Sequence, residues 1–243
     1  MNRHYRLIIF VFFTILLQAF FMRDFSDFQL QYPFLLGVPL TSNSQLNYQF
    51  LIYWYLPIVA LTFYFSGFIN DVLEKKGVLE IIRNHNLKKW ILKRLFFMSS
   101  FLLVFIVFQT LVFLIFFPNN QLISFEQLVL WINYYLMLLI LIGIQLVLEL
   151  IFSSKIALLC INIYIVGSLL LTQEIYDNSW SNLYFVAYLT VPNYGMGFKT
   201  GYNIIHFYTE IINRHVTLPV LITVNLLILL FVLKRMKKID ILP

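Results

Sequence analysis

NDVLEKKGVLEIIRNHNLKKWILKR, residues 70–94, carries ten of the chain's 17 basic and 11 acidic residues, and long apolar stretches flank it on both sides. Upstream lies FLIYWYLPIVALTFYFSGFI, and downstream LFFMSSFLLVFIVFQTLVFLIFF. A charged, partly amphipathic segment held between two apolar spans is where a soluble partner can grip a membrane protein. The strongest functional signal therefore concerns coupling rather than catalysis.

Composition sets the class. Hydrophobic residues make up 61% of the 243, charged residues only 12%, and a soluble domain of this size could not hide that much apolar side chain. Apolar windows fall at about residues 7–22, 50–70, 95–117, 127–148, 156–172 and 216–233. Each is near the length needed to cross about 30 Å of hydrocarbon at about 1.5 Å per residue. The third and fourth hold no charged residue, and the fifth is short. Arg3 and Arg6 precede the first window as in a signal peptide, but MRDFSDFQLQYP follows without a small-x-small cleavage pattern, which predicts retention as an anchor. With no internal repeat and no long hydrophilic stretch, residues 1–243 read as a single transmembrane domain.

Six spans place both termini on one side, and charge selects the side. With the N-terminus inside, Arg3, Arg6, the seven basic residues of 71–94, Lys155 and the KRMKK run at Lys234 to Lys238 are cytoplasmic. The opposite connections are poor in basic residues: 23–49 carries Arg23, 118–126 none, and 173–215 Lys199 and Arg214. This is the positive-inside asymmetry, so the net charge of +6 expresses topology. A nucleic-acid partner is not expected, because the basic residues are spread over inner-face loops with no reader element.

The chain encodes no energy source or catalytic constellation of its own. Its eight glycines never form GxxxxGK[ST], so the chain is not expected to hydrolyse ATP alone and is not read as an enzyme. Metal ligation is not expected, since His4, His85, His206 and His215 are scattered, without HExxH or CxxC. Cys160 is single and reads as a small buried hydrophobe. Within the spans the interfacial polar candidates are Gln145 and Glu149, four residues apart on one helical face. They can serve a proton route or helix–helix hydrogen bonding, the latter being the plainer role. Gln109, Asn133, Asn162 and Asn225 each bring an amide into or beside a span. Pro57 predicts a bend or a freed carbonyl in the second span.

The charged segment has two parts. In DVLEKKGVLEII, Val72, Leu73, Val78, Leu79, Ile81 and Ile82 oppose Glu74, Lys75, Lys76 and Glu80, and Gly77 permits a turn. After RNHN, the stretch LKKWILKRL can lie at the membrane interface with Trp90 as anchor and its basic residues on lipid headgroups. An ordinary basic loop bound to anionic lipid is the other reading.

Six spans, a short N-terminus, the EKKGVLEIIRNHNLKKWILKRL segment between spans two and three, and a long connection before span six resemble the type-2 permease of ATP-binding-cassette transporters. Among these the chain is most similar to the small permeases of Gram-positive peptide export and self-immunity systems. The resemblance covers nearly the whole chain in topology and is specific at residue level only around Glu74 to Leu95. It implies an all-α integral membrane protein of the bacterial cell membrane with six transmembrane helices and cytoplasmic termini. A cytoplasmic coupling helix is implied between spans two and three, and external re-entrant or surface helices in 173–215.

Several roles follow from the resemblance alone. Glu74, Lys75, Lys76, Gly77, Val78, Leu79, Glu80, Ile81, Ile82 and Arg83 match the coupling helix that fits a cleft in a cytoplasmic ATPase subunit. That partner would bind ATP and Mg, while this chain binds no cofactor, and a second permease half, identical or related, would face it. Spans one, two and five would line the seam, with Phe12, Phe13, Tyr53, Tyr64 and Ile161 as wall residues. Pro192, Gly195 and Gly197 break the helical pattern in TVPNYGMGFKTG, as for a lid or exit gate. Read without the family, the rings of Trp180, Tyr184, Phe185, Tyr188, Tyr194, Phe198 and Tyr202 serve equally as a passive aromatic belt. An apolar, aromatic path suits a hydrophobic or amphipathic peptide. A permease for a lipid-linked sugar or small lipophilic compound, and a non-transporting immunity or sensor protein, are the alternatives.

Overall fold

The computed structural model describes residues 3–23, 32–40, 48–69, 87–117, 124–177, 184–201 and 211–236. Six long helices dominate it: α1 (Arg3–Met22), α3 (Tyr48–Phe65), α4 (Leu87–Phe116), α5 (Phe125–Glu149), α6 (Ser154–Asp177) and α10 (Arg214–Met236). Four one-turn helices lie in the connections: α2 (Pro33–Leu36), α7 (Tyr184–Ala187), α8 (Val191–Tyr194) and α9 (Gly197–Thr200). All six long helices are apolar and long enough to cross a membrane. In hydrocarbon every backbone N–H and C=O needs an internal partner, and a helix supplies one within the segment.

Local sequence sets several helix ends. Ser124 and Gln127 start α5 with a reciprocal capping box: Gln127 N donates to Ser124 Oγ at 3.2 Å and Ser124 N to Gln127 Oε1 at 3.0 Å. Asn213 opens α10, its Oδ1 accepting from His215 N at 2.9 Å. The second span is expected to reach residue 70, but helix stops at Phe65 because Gly67 turns the chain with φ 76°.

The third span departs from expectation in the other direction. LKKWILKRL does not form a separate interfacial piece; it is the first turns of the 30-residue α4. Trp90 is not a headgroup anchor, being buried in a cluster with Ile91 and Val232 of α10. The Arg94 guanidinium lies 5.4 Å from the Trp90 ring centroid and 5.6 Å from that of Phe68, a cation–π bracket joining the end of the second span to the start of the third. Cys160, expected to be buried, is exposed on α6.

α5 is the central post. Of its spanning stretch 61% is buried, against 17% for α10, and it packs on α3, α4, α6, α10 and the short helices α2 and α8. α1 packs chiefly on α3. Buried amides tie the spans together: Gln109 Nε2 donates to Gln18 Oε1 at 2.6 Å across α4 and α1. Asn225 Nδ2 donates to Leu136 O at 3.2 Å across α10 and α5. Asn162 of α6 accepts from the Tyr55 hydroxyl of α3 and donates to Thr62 Oγ1 at 3.2 Å. Lipid tails are as apolar as leucine, so such contacts and close packing take over the role of the hydrophobic effect between spans.

Two connecting stretches are themselves interior. Residues 32–40 and 192–200 are buried without interruption, and they meet each other between the spans. The Phe34 ring packs against Phe113 of α4 and Tyr134 of α5, with centroids 5.1 and 5.5 Å away, and Trp54 Nε1 of α3 donates to Phe34 O at 3.2 Å. A Cβ on Gly37 would fall 2.3 Å from Met196 Cγ, and one on Gly197 3.1 Å from Leu36 Cδ2. Glycine at both positions is what lets the two inserts touch.

Candidate functional site

Two polar clusters, toward opposite ends of α5, hold groups that an apolar bundle would not otherwise bury. The first is built on Lys199. Helix α9 places this side chain at 1% exposure, where Nζ donates to Asn193 Oδ1 at 2.8 Å. The same Asn193 amide donates to Thr172 Oγ1 of α6 at 2.8 Å, to the Thr190 hydroxyl, and to Ala187 O at 3.3 Å. The carbonyl of Lys199 accepts from Ile211 N at 3.2 Å and Ile212 N at 2.9 Å, fixing the approach to α10. Lys199 and Asn193 together thus link the insert to α6 and to the start of the last span.

Burial makes the charged form of this lysine expensive. It pulls the Lys199 ammonium from its ordinary 10.5 down to about 7. Nearby, burial raises Tyr194 to about 12; its hydroxyl donates to Tyr188 O at 2.7 Å.

The second cluster sits where the charged segment begins. Glu149, 2% exposed, accepts from Gly67 N at 3.0 Å through Oε1 and from Gln145 Nε2 at 3.4 Å. Gln145 Nε2 also donates to Thr62 O at 2.9 Å. The two residues share one face of α5 as their spacing predicts, and that face grips the C-terminal end of α3. Asn133, also fully buried on α5, differs: neither amide atom meets a hydrogen-bond partner among the described residues.

The remaining sequence candidates are dispersed. Glu74, Lys75, Lys76, Gly77, Val78, Leu79, Glu80, Ile81, Ile82 and Arg83 lie outside the described residues. Phe12 packs edge-on against Phe108, Tyr53 stacks on Phe21, and Tyr64 stacks on Phe101. Ile161 is buried in the core and Phe13 is exposed. Pro57 lies inside α3. Pro192, Gly195 and Gly197 do come together in the buried insert, where a Cβ on Gly195 would fall 2.7 Å from Met137 Sδ and one on Gly197 3.3 Å from Leu130 Cδ2. Of the aromatic residues in the same connection, Trp180 and Tyr202 lie outside the described residues; Phe185 is exposed while Tyr194 and Phe198 are buried, so these three do not share one belt.

Sequence reading missed the Lys199 cluster and the 32–40 insert. Lys199 was countable only as a loop charge, although it stands in the otherwise uncharged TVPNYGMGFKTG. PFLLGVP, an apolar run bracketed by Pro33 and Pro39, was the sign of the other insert. Among the described residues no group of histidine, cysteine and acidic side chains is arranged to hold a metal ion.

A family model described as a protein of unknown function (DUF2705) matches residues 9–242. The uncharacterized protein YybK of Bacillus subtilis (strain 168) is 31% identical over 245 residues, covering 95% of this chain and 96% of that protein. No solved structure matches. This chain, an all-α multi-pass membrane protein whose described residues form six apolar helices long enough to span a membrane, therefore belongs to the DUF2705 family.

Proposed function

We propose that this chain is the membrane-spanning permease subunit of an ATP-driven exporter of the ATP-binding-cassette class, moving a hydrophobic or amphipathic peptide across or out of the bacterial cell membrane. The observation that carries the reading is the grip of Gln145 and Glu149 on Thr62 and Gly67, at the base of the charged segment. A pull on residues 70–86 reaches α4 directly at Leu87 and α3 through Gly67, and the clasp delivers the second branch to α5 as well. α5 in turn carries Leu130 and Met137, the residues against which Gly197 and Gly195 of the buried insert are packed. A continuous chain of contacts thus runs from the end of α3, where the charged segment begins, to the insert near the other end of the bundle.

In this mechanism the charged segment and both termini are cytoplasmic, and the inserts face outward. Two ATPase subunits bind ATP and Mg, close on each other, and draw on the Glu74–Arg83 segments of two permease halves. The chain's own residues transmit force and shape the path at the seam between halves. In that arrangement the path needs a second half to be complete.

Affinity purification of the tagged chain in mild detergent, followed by mass spectrometry and an ATPase assay, tests this directly against Gly77→Pro. Co-purification of an ATPase subunit with the native chain, and its loss with a correctly inserted Gly77→Pro variant, is the expected result. Absence of any nucleotide-binding partner from both samples overturns the reading in favour of a self-contained immunity or sensor role.

A further inference from the structure

The start of α10 borders a cleft of about 590 Å³ lined by Tyr188, Ile211, Ile212, Asn213, Arg214 and His215. That volume lies within the range of small-molecule sites, about 300–1,000 Å³. Its backbone is fixed by hydrogen bonds. Ile211 N and Ile212 N are held by Lys199 O, and Asn213 N donates to the Tyr188 hydroxyl at 3.3 Å. Arg214 and His215, both exposed, supply the ligand-facing chemistry, and none of the described lining residues is acidic. A guanidinium offers a planar fork of donors that matches phosphate oxygens.

Directly below the cleft, α10 presents a one-sided apolar stripe to its surroundings. Val216, Ile222 and Leu226 are 40%, 47% and 53% exposed. The stretch from Arg214 to Leu226 rises about 18 Å at 1.5 Å per residue, roughly the depth of one leaflet of a 30 Å hydrocarbon core. Cationic cleft and apolar stripe are therefore stacked in the order of headgroup and acyl chain.

We propose that this cleft holds the phosphate headgroup of an anionic phospholipid, from the leaflet on the side of the inserts, whose acyl chains lie along α10. The site is independent of the transport role proposed above. Its occupant meets the segment whose backbone Lys199 pins, so a bound lipid braces the end of the insert. A neutral zwitterionic lipid has the same apolar half but brings its own cation to Arg214. Free phosphate satisfies Arg214 but leaves the stripe unused.

The test is native mass spectrometry of the full chain in a non-ionic detergent, titrated with phosphatidylglycerol, with phosphatidylcholine of the same acyl chains, and with inorganic phosphate. About tenfold stronger retention of phosphatidylglycerol than of phosphatidylcholine is expected, as for a charge-assisted hydrogen bond of ordinary strength. The double variant R214Q/H215Q should bring phosphatidylglycerol down to the phosphatidylcholine level. K234Q/R235Q, which removes the basic pair at the other end of the same helix, should leave retention unchanged. Equal retention of the two lipids by the native chain overturns the proposal without reference to any variant. So does full displacement of phosphatidylglycerol by millimolar inorganic phosphate, which would mark a free-anion site, and so does loss of retention in K234Q/R235Q alone.

Discussion

Lys199 Nζ donates to Asn193 Oδ1 at 2.8 Å, so a completely buried ammonium is met by a neutral amide. An uncharged partner stabilises the ammonium less than a carboxylate would. Protonation of Lys199 is therefore disfavoured in the folded state.

The sign of the resulting pH dependence follows from linkage. The folded lysine titrates at about 7 and the released one near 10.5, so the unfolded state binds more protons through that interval. Its stabilisation is complete above 10.5 and is lost as pH falls to about 7. Thermal unfolding in detergent between pH 7 and 10 should show the native chain gaining on K199M as pH rises, by an amount on the order of a few kcal/mol. Parallel curves for the two proteins would mean that the amine is solvated.

Asn193→Ala removes the acceptor of Lys199 and the donor to Thr172 and Thr190 together, leaving buried polar groups unsatisfied. A loss of about 2–4 kcal/mol is expected. Asn193→Asp should behave differently: a carboxylate beside Lys199 raises the lysine's titration and flattens the pH dependence above 7. Denaturant or thermal melts of the three proteins at two pH values separate these outcomes.

Contact between the inserts is tested at Gly37. A Cβ there would meet Met196 at 2.3 Å, on a backbone with φ 77°, so Gly37→Ala should destabilise by about 1–3 kcal/mol. Adding Met196→Ala relieves the overlap but not the backbone strain. A double-mutant cycle should accordingly recover part of the loss and not all of it.

At the other cluster, Glu149→Ala deletes the acceptor of Gly67 N, whereas Glu149→Gln keeps an oxygen in the same place. The alanine variant should lose about 1.5–3 kcal/mol and accelerate amide exchange in the peptide around Gly67. Glutamine should preserve most of the protection. Equal protection in all three proteins would show that the end of α3 is held by other means.

Length and hydropathy alone determined the six spans, because each needs only a run of apolar residues and satisfies its backbone internally. The same holds for the pairing of Gln145 with Glu149 on one face, which is helical periodicity. What they grip, the carbonyl of Thr62 and the amide of Gly67, depends on how α5 crosses α3. The burial of Lys199 and the insertion of PFLLGVP could be decided only by the folded bundle. Short segments with one lysine or two prolines read as loops until neighbouring helices leave a space of their size, and here glycines at 37, 195 and 197 leave room for the side chains of Met196, Met137, Leu36 and Leu130 against the insert backbones. The fate of Trp90 was tertiary for the same reason: an amphipathic ring suits an interface until a helix end, here Val232 of α10, covers it.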